Sequence, residues 1–112
     1  MARLLFVPEQ FVASAARTAS GVSDSRNVKQ AEQLMFCLII SEITGTGAFV
    51  GFYAQQSWDQ TVWHTTDEWV RALAAGALMV SARCIAPYAR LGWTIGGTSP
   101  SVTFYARIGW RE

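Results

Sequence analysis

The chain has 112 residues, 51% of them hydrophobic and 15% charged, with a formal net charge of +1. That length supports one domain around one core, that apolar content argues against global disorder, and the near-neutral charge gives no electrostatic case for nucleic acid or an anionic membrane. The longest apolar run, residues 34–40, falls far short of the roughly 20 residues a spanning helix needs, so a soluble protein made in the cytoplasm is expected.

Residues 1–11 (MARLLFVPEQF) mix apolar and charged positions without a clean period, and Pro8 and Glu9 interrupt them too soon for a secretory signal. They read as an extended arm that packs on something else, leaving residues 12–112 as the domain. Residues 11–20 (FVASAARTAS) predict a first strand; their alanines would allow a helix, but the Ser/Thr spacing and the following Gly21 favour strand. Residues 21–30 form a polar loop with Asp, Ser and Asn as turn formers.

Residues 33–43 (QLMFCLIISEI) are apolar at both parities, the pattern of a central strand covered on both faces. Pattern alone leaves a helix of that length open; the β-branched and aromatic content, and a turn at Thr44-Gly45-Thr46-Gly47, favour strand. Residues 48–58 continue as its partner, with Phe49, Tyr53 and Gln55 alternating against Val50, Phe52 and Ala54. A turn at Asp59-Gln60 leads into a short edge-like piece at residues 61–66. Residues 68–74 and 77–85 are two further strands on either side of Gly76, the second with Leu78, Val80, Ala82 and Cys84 on one face.

The clearest signal lies near the C-terminus. Ala89, Leu91, Trp93 and Ile95 alternate with Arg90, Gly92 and Thr94, while Val102, Phe104, Ala106, Ile108 and Trp110 alternate with Thr103, Tyr105, Arg107 and Gly109. With Gly96-Gly97-Thr98-Ser99-Pro100 between them, the two stretches predict an antiparallel hairpin whose structural turn uses Gly96, Gly97 and Pro100. Seven to eight short strands, with turns every 8–12 residues, predict an all-β single-domain antiparallel β-sandwich, Greek key or jelly-roll-like, with the N-terminal arm attached.

Chemistry is hard to find. His64 is the only histidine, so a His-based zinc site is excluded, and it reads as a surface residue beside Trp63. Asp59, Asp67 and Glu68 flank that segment as turn formers rather than as a catalytic carboxylate pair. Phosphate-cradling and calcium-loop motifs are absent. Cys37 and Cys84 lie in apolar runs and are expected to be buried and reduced; the Trp and Tyr spacing of an immunoglobulin disulfide is missing. No cofactor, metal or small-molecule site is expected, and no enzyme activity.

Eight of the nine basic residues are Arg, and they accompany five Trp, three Tyr and six Phe. Interfaces are enriched in Arg and aromatics and poor in Lys, so extensive protein–protein contact is expected, codon bias being the bland alternative. Its candidate residues are Arg3, Leu4, Leu5, Phe6 and Phe11 in the arm, and Trp58, Trp63 and Trp69 around one loop region. The three tryptophans would alternatively plug one end of the sandwich or, as the lesser reading, stack on sugar rings in a carbohydrate-binding module.

At residues 14–20 (SAARTAS), 43–47 (ITGTG) and 91–104 (LGWTIGGTSPSVTF) the chain resembles a diffuse family of small tailed-bacteriophage virion proteins. These share an early SAART strand, a hydrophobic strand ending in ITGT and an R-x-x-W-T-I-G-G-T-x-P-S-x-T-F segment, here Arg90, Trp93, Thr94, Ile95, Gly96, Gly97, Thr98, Pro100, Ser101, Thr103 and Phe104. The pieces keep the family order over residues 14–108. The chain departs at residues 58–75, which carry Trp and Ala where the family tends to have a polar hairpin. The resemblance implies a non-enzymatic β-sandwich of the virion, most directly a capsid decoration (cement) protein on the shell. Its partners would be the major capsid protein or other virion proteins, with many copies or a homo-oligomer per particle. A neck or tail component is the alternative within the same particle.

Overall fold

The chain's two longest alternating runs each fold as one continuous strand. The structure, a computed structural model, describes residues 4–6, 11–28 and 31–111, with the backbone alone at Leu4–Phe6 and residues 66–68. Along the chain run β1 (Leu4–Phe6), β2 (Val12–Arg17), β3 (Gly21–Val22), β4 (Arg26–Asn27), β5 (Gln33–Ser57), β6 (His64–Ala72), β7 (Gly76–Arg83) and β8 (Tyr88–Arg111). The protein is all-β and antiparallel, with no helix among the described residues.

β5 and β8 are 25 and 24 residues long and pair along their whole length, from Gln33↔Arg111 to Ser57↔Tyr88. This corrects the expectation of seven to eight uniformly short strands. It also corrects the C-terminal hairpin: residues 88–95 pair with 50–57 and residues 101–110 with 34–44, so the two stretches are not each other's partners. The same holds for Thr44–Gly47, which lies inside β5 rather than in a turn.

The glycines that looked like turn residues instead bend this ribbon. A straight 25-residue strand would measure roughly 80 Å, yet the longest dimension of the molecule is 45 Å. Gly45 (φ 115°), Gly47 (φ 63°), Gly97 (φ 114°) and Ser99 (φ 48°) all adopt the left-handed region at the middle of the ribbon. A Cβ at Gly97 would lie 2.7 Å from Ala48 Cα, and one at Gly45 would lie 2.8 Å from the Ser99 carbonyl, so both positions demand glycine. Register slips between Ile40 and Glu42, between Thr44 and Thr46, and between Thr46 and Phe49 complete the corner. Inward positions on β8 switch parity there, from Ala89, Leu91 and Trp93 to Val102, Phe104, Ala106 and Ile108, all buried.

Beyond the corner the ribbon doubles back on itself. Phe52 stands opposite Trp93 in the ladder and Phe104 opposite Ile40. Their rings nevertheless meet edge-on at 4.9 Å, and Trp93 meets Phe104 at 5.2 Å. Leu34, Phe36, Leu38 and Ile40 from one arm of the ribbon and Val50, Phe52, Ala54 and Leu91 from the other thus share one core. The remaining strands flank it. β7 and β6 line successive halves of β5, while β1, β2, β3 and β4 line β8.

The polar loop predicted at residues 21–30 serves the edge of β8. Ser23 Oγ accepts from the Leu91 amide and Ser20 Oγ from the Ile95 amide, both at 2.9 Å, replacing ladder bonds beside the two-residue β3. Arg17 does the same for β2: it donates to the carbonyls of Ala13 and Ala15, and its guanidinium covers the Phe104 ring at 4.5 Å.

Candidate functional site

The half of β5 after the corner puts Val50, Phe52, Ala54 and Gln56 inward, so Phe49, Gly51, Tyr53 and Gln55 face outward. β6 and β8 add Arg71, Trp69 and Thr65 on one side and Gly96, Thr94, Gly92 and Arg90 on the other. Three of these outward positions are glycines, and each is covered by a ring. A Cβ at Gly51 would lie 2.1 Å from Trp69, one at Gly92 2.3 Å from Tyr53, and one at Gly96 2.5 Å from Phe49. The glycines let large rings lie flat on the backbone, which closes the hole a strand glycine otherwise leaves.

Arginines then seat on the rings. Arg71 lies 4.5 Å over Phe49 and Arg90 lies 4.1 Å over Trp63. Tyr53 and Trp69 stack nearly parallel, 12° apart at 6.0 Å. Gln55 links the strands by accepting from Arg90 Nε at 2.8 Å and donating to Thr65 Oγ1 at 3.0 Å. The result is a preordered, outward lattice of aromatic rings and guanidinium groups on one face of the sheet.

Ser57 and Asp59 position the loop that leads to Trp63. Ser57, fully buried, donates its hydroxyl proton to the Val62 carbonyl at 2.6 Å and accepts from the Gln60 amide. Asp59 Oδ1 accepts from the Val62 and Thr61 amides, and these two bonds hold its carboxyl below the usual range. His64, the only histidine, is exposed and stands opposite Gln56 in the ladder.

The tryptophans read as one cluster separate into two places. Trp69 (50% exposed) and the half-buried Trp63 belong to the outward lattice. Trp58, 69% exposed, lines a pocket of about 220 Å³ together with Val28, Cys84, Ile85 and Pro87. Phe11 turns onto the chain's own core, its ring 5.8 Å from Phe36 with Arg26 above it. Leu4, Leu5 and Phe6 pair as β1 with Arg111, Trp110 and Gly109 of β8, so the described part of the arm joins its own sheet. Arg3 lies outside the described residues. Gly96 belongs to the lattice as the seat of Phe49, whereas Gly97 serves the corner. Cys37 and Cys84 are free thiols, half-buried rather than buried as expected.

Sequence reasoning missed Phe49, Tyr53, Arg71 and Arg90 as surface contributors. The usable signal was present: Phe49, Tyr53 and Gln55 share the parity opposite to the apolar one, and Gly92 and Gly96 fall on β8 at their ladder positions. Comparison with protein-family models, with curated proteins and with solved structures finds no match to this chain.

Proposed function

We propose that this chain is a non-enzymatic structural component of a tailed-bacteriophage particle, a capsid decoration protein that stabilises the shell through protein–protein contacts. The observation that carries the contact reading is the outward lattice of Trp63, Tyr53, Trp69, Phe49, Arg71 and Arg90, in which glycines seat the Tyr53, Trp69 and Phe49 rings before any partner arrives. Aromatic and arginine anchors are the side chains that dominate interface energetics, and preordering them lowers the entropy lost on binding. The virion reading itself rests on the resemblance of residues 14–20, 43–47 and 91–104 to phage structural proteins. A protein that binds only the assembled shell stabilises it against disassembly by mass action.

The finer fold reading belongs with this proposal. We take the doubled ribbon as a β-sandwich, one layer built on residues 33–44 and 101–111 and the other on 49–57 and 88–96, supported by the Phe52–Phe104 and Trp93–Phe104 contacts between the arms.

Binding to shells purified without the protein tests the function. Hundreds of copies per particle, lost when Trp69 and Arg71 are both replaced by Ala, is the expected result. Copies in multiples of six or twelve at one vertex, or along the tail, mean a neck or tail component instead, and no particle binding at all sinks the virion reading. Trp69 and Trp58, with half or more of their surface exposed, support a second reading as a carbohydrate-binding module. Glycan-array binding that disappears in Trp69→Ala establishes it, and no binding to any glycan removes it.

A further inference from the structure

The sheet has three long flanking strands, and they treat their free edges differently. β2 carries its own cap, because Arg17 occupies the carbonyls of Ala13 and Ala15. β6 has Asp67, Glu68 and Arg71 in its sequence, the kind of charge that keeps an edge from pairing. β7 has neither device before its last residue, Arg83. Among the described residues it pairs with β5 alone, and the ten residues 73–82 (LAAGALMVSA) contain no charge and no proline. Leu73 and Met79 are 68% and 56% exposed, and Leu78, on the inward face, is only half-buried. Beside the edge, Cys37, Ile39, Ala77 and Met79 line a shallow apolar groove of about 340 Å³.

We propose that β7 is a dimerisation edge that pairs antiparallel with β7 of a second copy of this chain. Its free backbone donors and acceptors face solvent, where water or another strand can meet them, and the strand is its own complement. An isologous contact centred on Met79 sets Leu78 against Val80, Ala77 against Ser81 and Gly76 against Ala82 of the second copy, with no like charges opposed. It buries Met79, the most exposed large hydrophobic side chain of the strand, against itself, extends the groove across the two-fold axis and covers Leu78. The assignment rests on the edge alone and stands whether or not the chain belongs to a virion.

Sedimentation of the full chain over a range of concentrations, combined with amide exchange, is the test. A species of twice 12.3 kDa is expected at micromolar concentration, with β7 amides becoming protected as it forms. Met79→Lys sets two ammonium groups opposite each other across the axis, and Ala77→Lys charges the same edge. Each should weaken the dimer at least tenfold with Tm within about 3 °C of the parent, since both positions are exposed. Thr65→Lys on β6 should leave the dimer intact. A monomer at every concentration, or a dimer indifferent to both β7 variants, or β7 exchange that does not change with concentration, overturns the assignment.

Discussion

Gln56 is a fully buried polar side chain near the ends of two loops, and replacing it tests how the two arms of the ribbon are joined. Its amide donates to the Arg83 carbonyl at 2.8 Å, and its carbonyl accepts from the Ile85 amide at 2.8 Å and the Ala86 amide at 3.3 Å. It therefore ties the strand carrying the outward lattice to the segment that links β7 to β8. Gln56→Leu fills the same space but removes the side-chain partner of the Arg83 carbonyl and of the Ile85 and Ala86 amides. Each orphaned group costs about 1–3 kcal/mol, partly offset because no side-chain amide is desolvated. The net loss should be about 2–3 kcal/mol. An unfolding entropy of ~2.1 cal/mol/K per residue gives about 4 °C per kcal/mol for a chain of this length, so Tm should fall by about 8–13 °C. Gln56→Glu separates lost hydrogen bonds from lost packing. The protonated carboxyl reproduces both bonds, and burial raises its folded pKa above the unfolded value near 4.3. Its stabilisation is therefore complete below that unfolded value and is lost as pH rises through the folded pKa. Thermal melts from pH 3 to 8, each variant compared with the parent at the same pH, read both effects. A drop below about 4 °C for the Leu variant, or a Glu variant whose deficit does not grow with pH, would refute the reasoning.

Other sites give outcomes of different sign. Gly51→Val lifts Trp69 off the sheet while supplying a β-branched residue worth up to ~1 kcal/mol in a strand, so unfolding by urea should shift little while tryptophan emission moves; an unchanged spectrum contradicts the lattice geometry. Trp93 is buried and its Nε1 has no partner among the described residues. Trp93→Phe removes that unpaired donor at the expense of a small cavity, and the two terms should cancel to within about 1 kcal/mol; a loss above about 3 kcal/mol by urea denaturation means the donor is satisfied after all. Burial pushes the Cys84 thiol up to about 11 from its ordinary 9.0. Its contribution to stability is complete below pH 9 and falls between about 9 and 11, as the unfolded thiol ionises first. Stability should therefore decline more steeply over that window than in Cys84→Ala, and alkylation of Cys84 at pH 9 should be slower than in urea-unfolded chain; equal slopes and rates would rule this out.

Strand content was legible because alternation reports which face is buried. The alternation in residues 48–58 and 88–110 separates the buried set from the rest, with Val50, Phe52 and Ala54 buried on one strand and Leu91, Trp93, Phe104 and Ile108 on the other. Connectivity was not legible, for a reason specific to glycine. Gly45, Gly47 and Gly97 adopt positive φ here, as they would in a hairpin turn, but they do so at matching points of two paired strands. A bend that both strands make together lets the pairing resume beyond it after register slips, whereas a turn in either one ends it. Local sequence reports the dihedral angle and is silent about the neighbour across the ladder.

The same silence explains why the outward lattice escaped notice. In the sequence Gly92 reads as alternation and Gly96 as turn chemistry, while Phe49 and Tyr53 read only as one parity of residues 48–58. Only the register Tyr53↔Gly92 and Phe49↔Gly96 turns four separate observations into two seated rings. It also gives the glycines two distinct uses within six residues. At Gly97 the missing Cβ permits a backbone angle, and at Gly92 and Gly96 it makes room for a neighbour's ring. A valine at Gly97 would therefore strain the corner and loosen both arms of the ribbon, whereas a valine at Gly92 would leave the fold and dismantle only the face it presents.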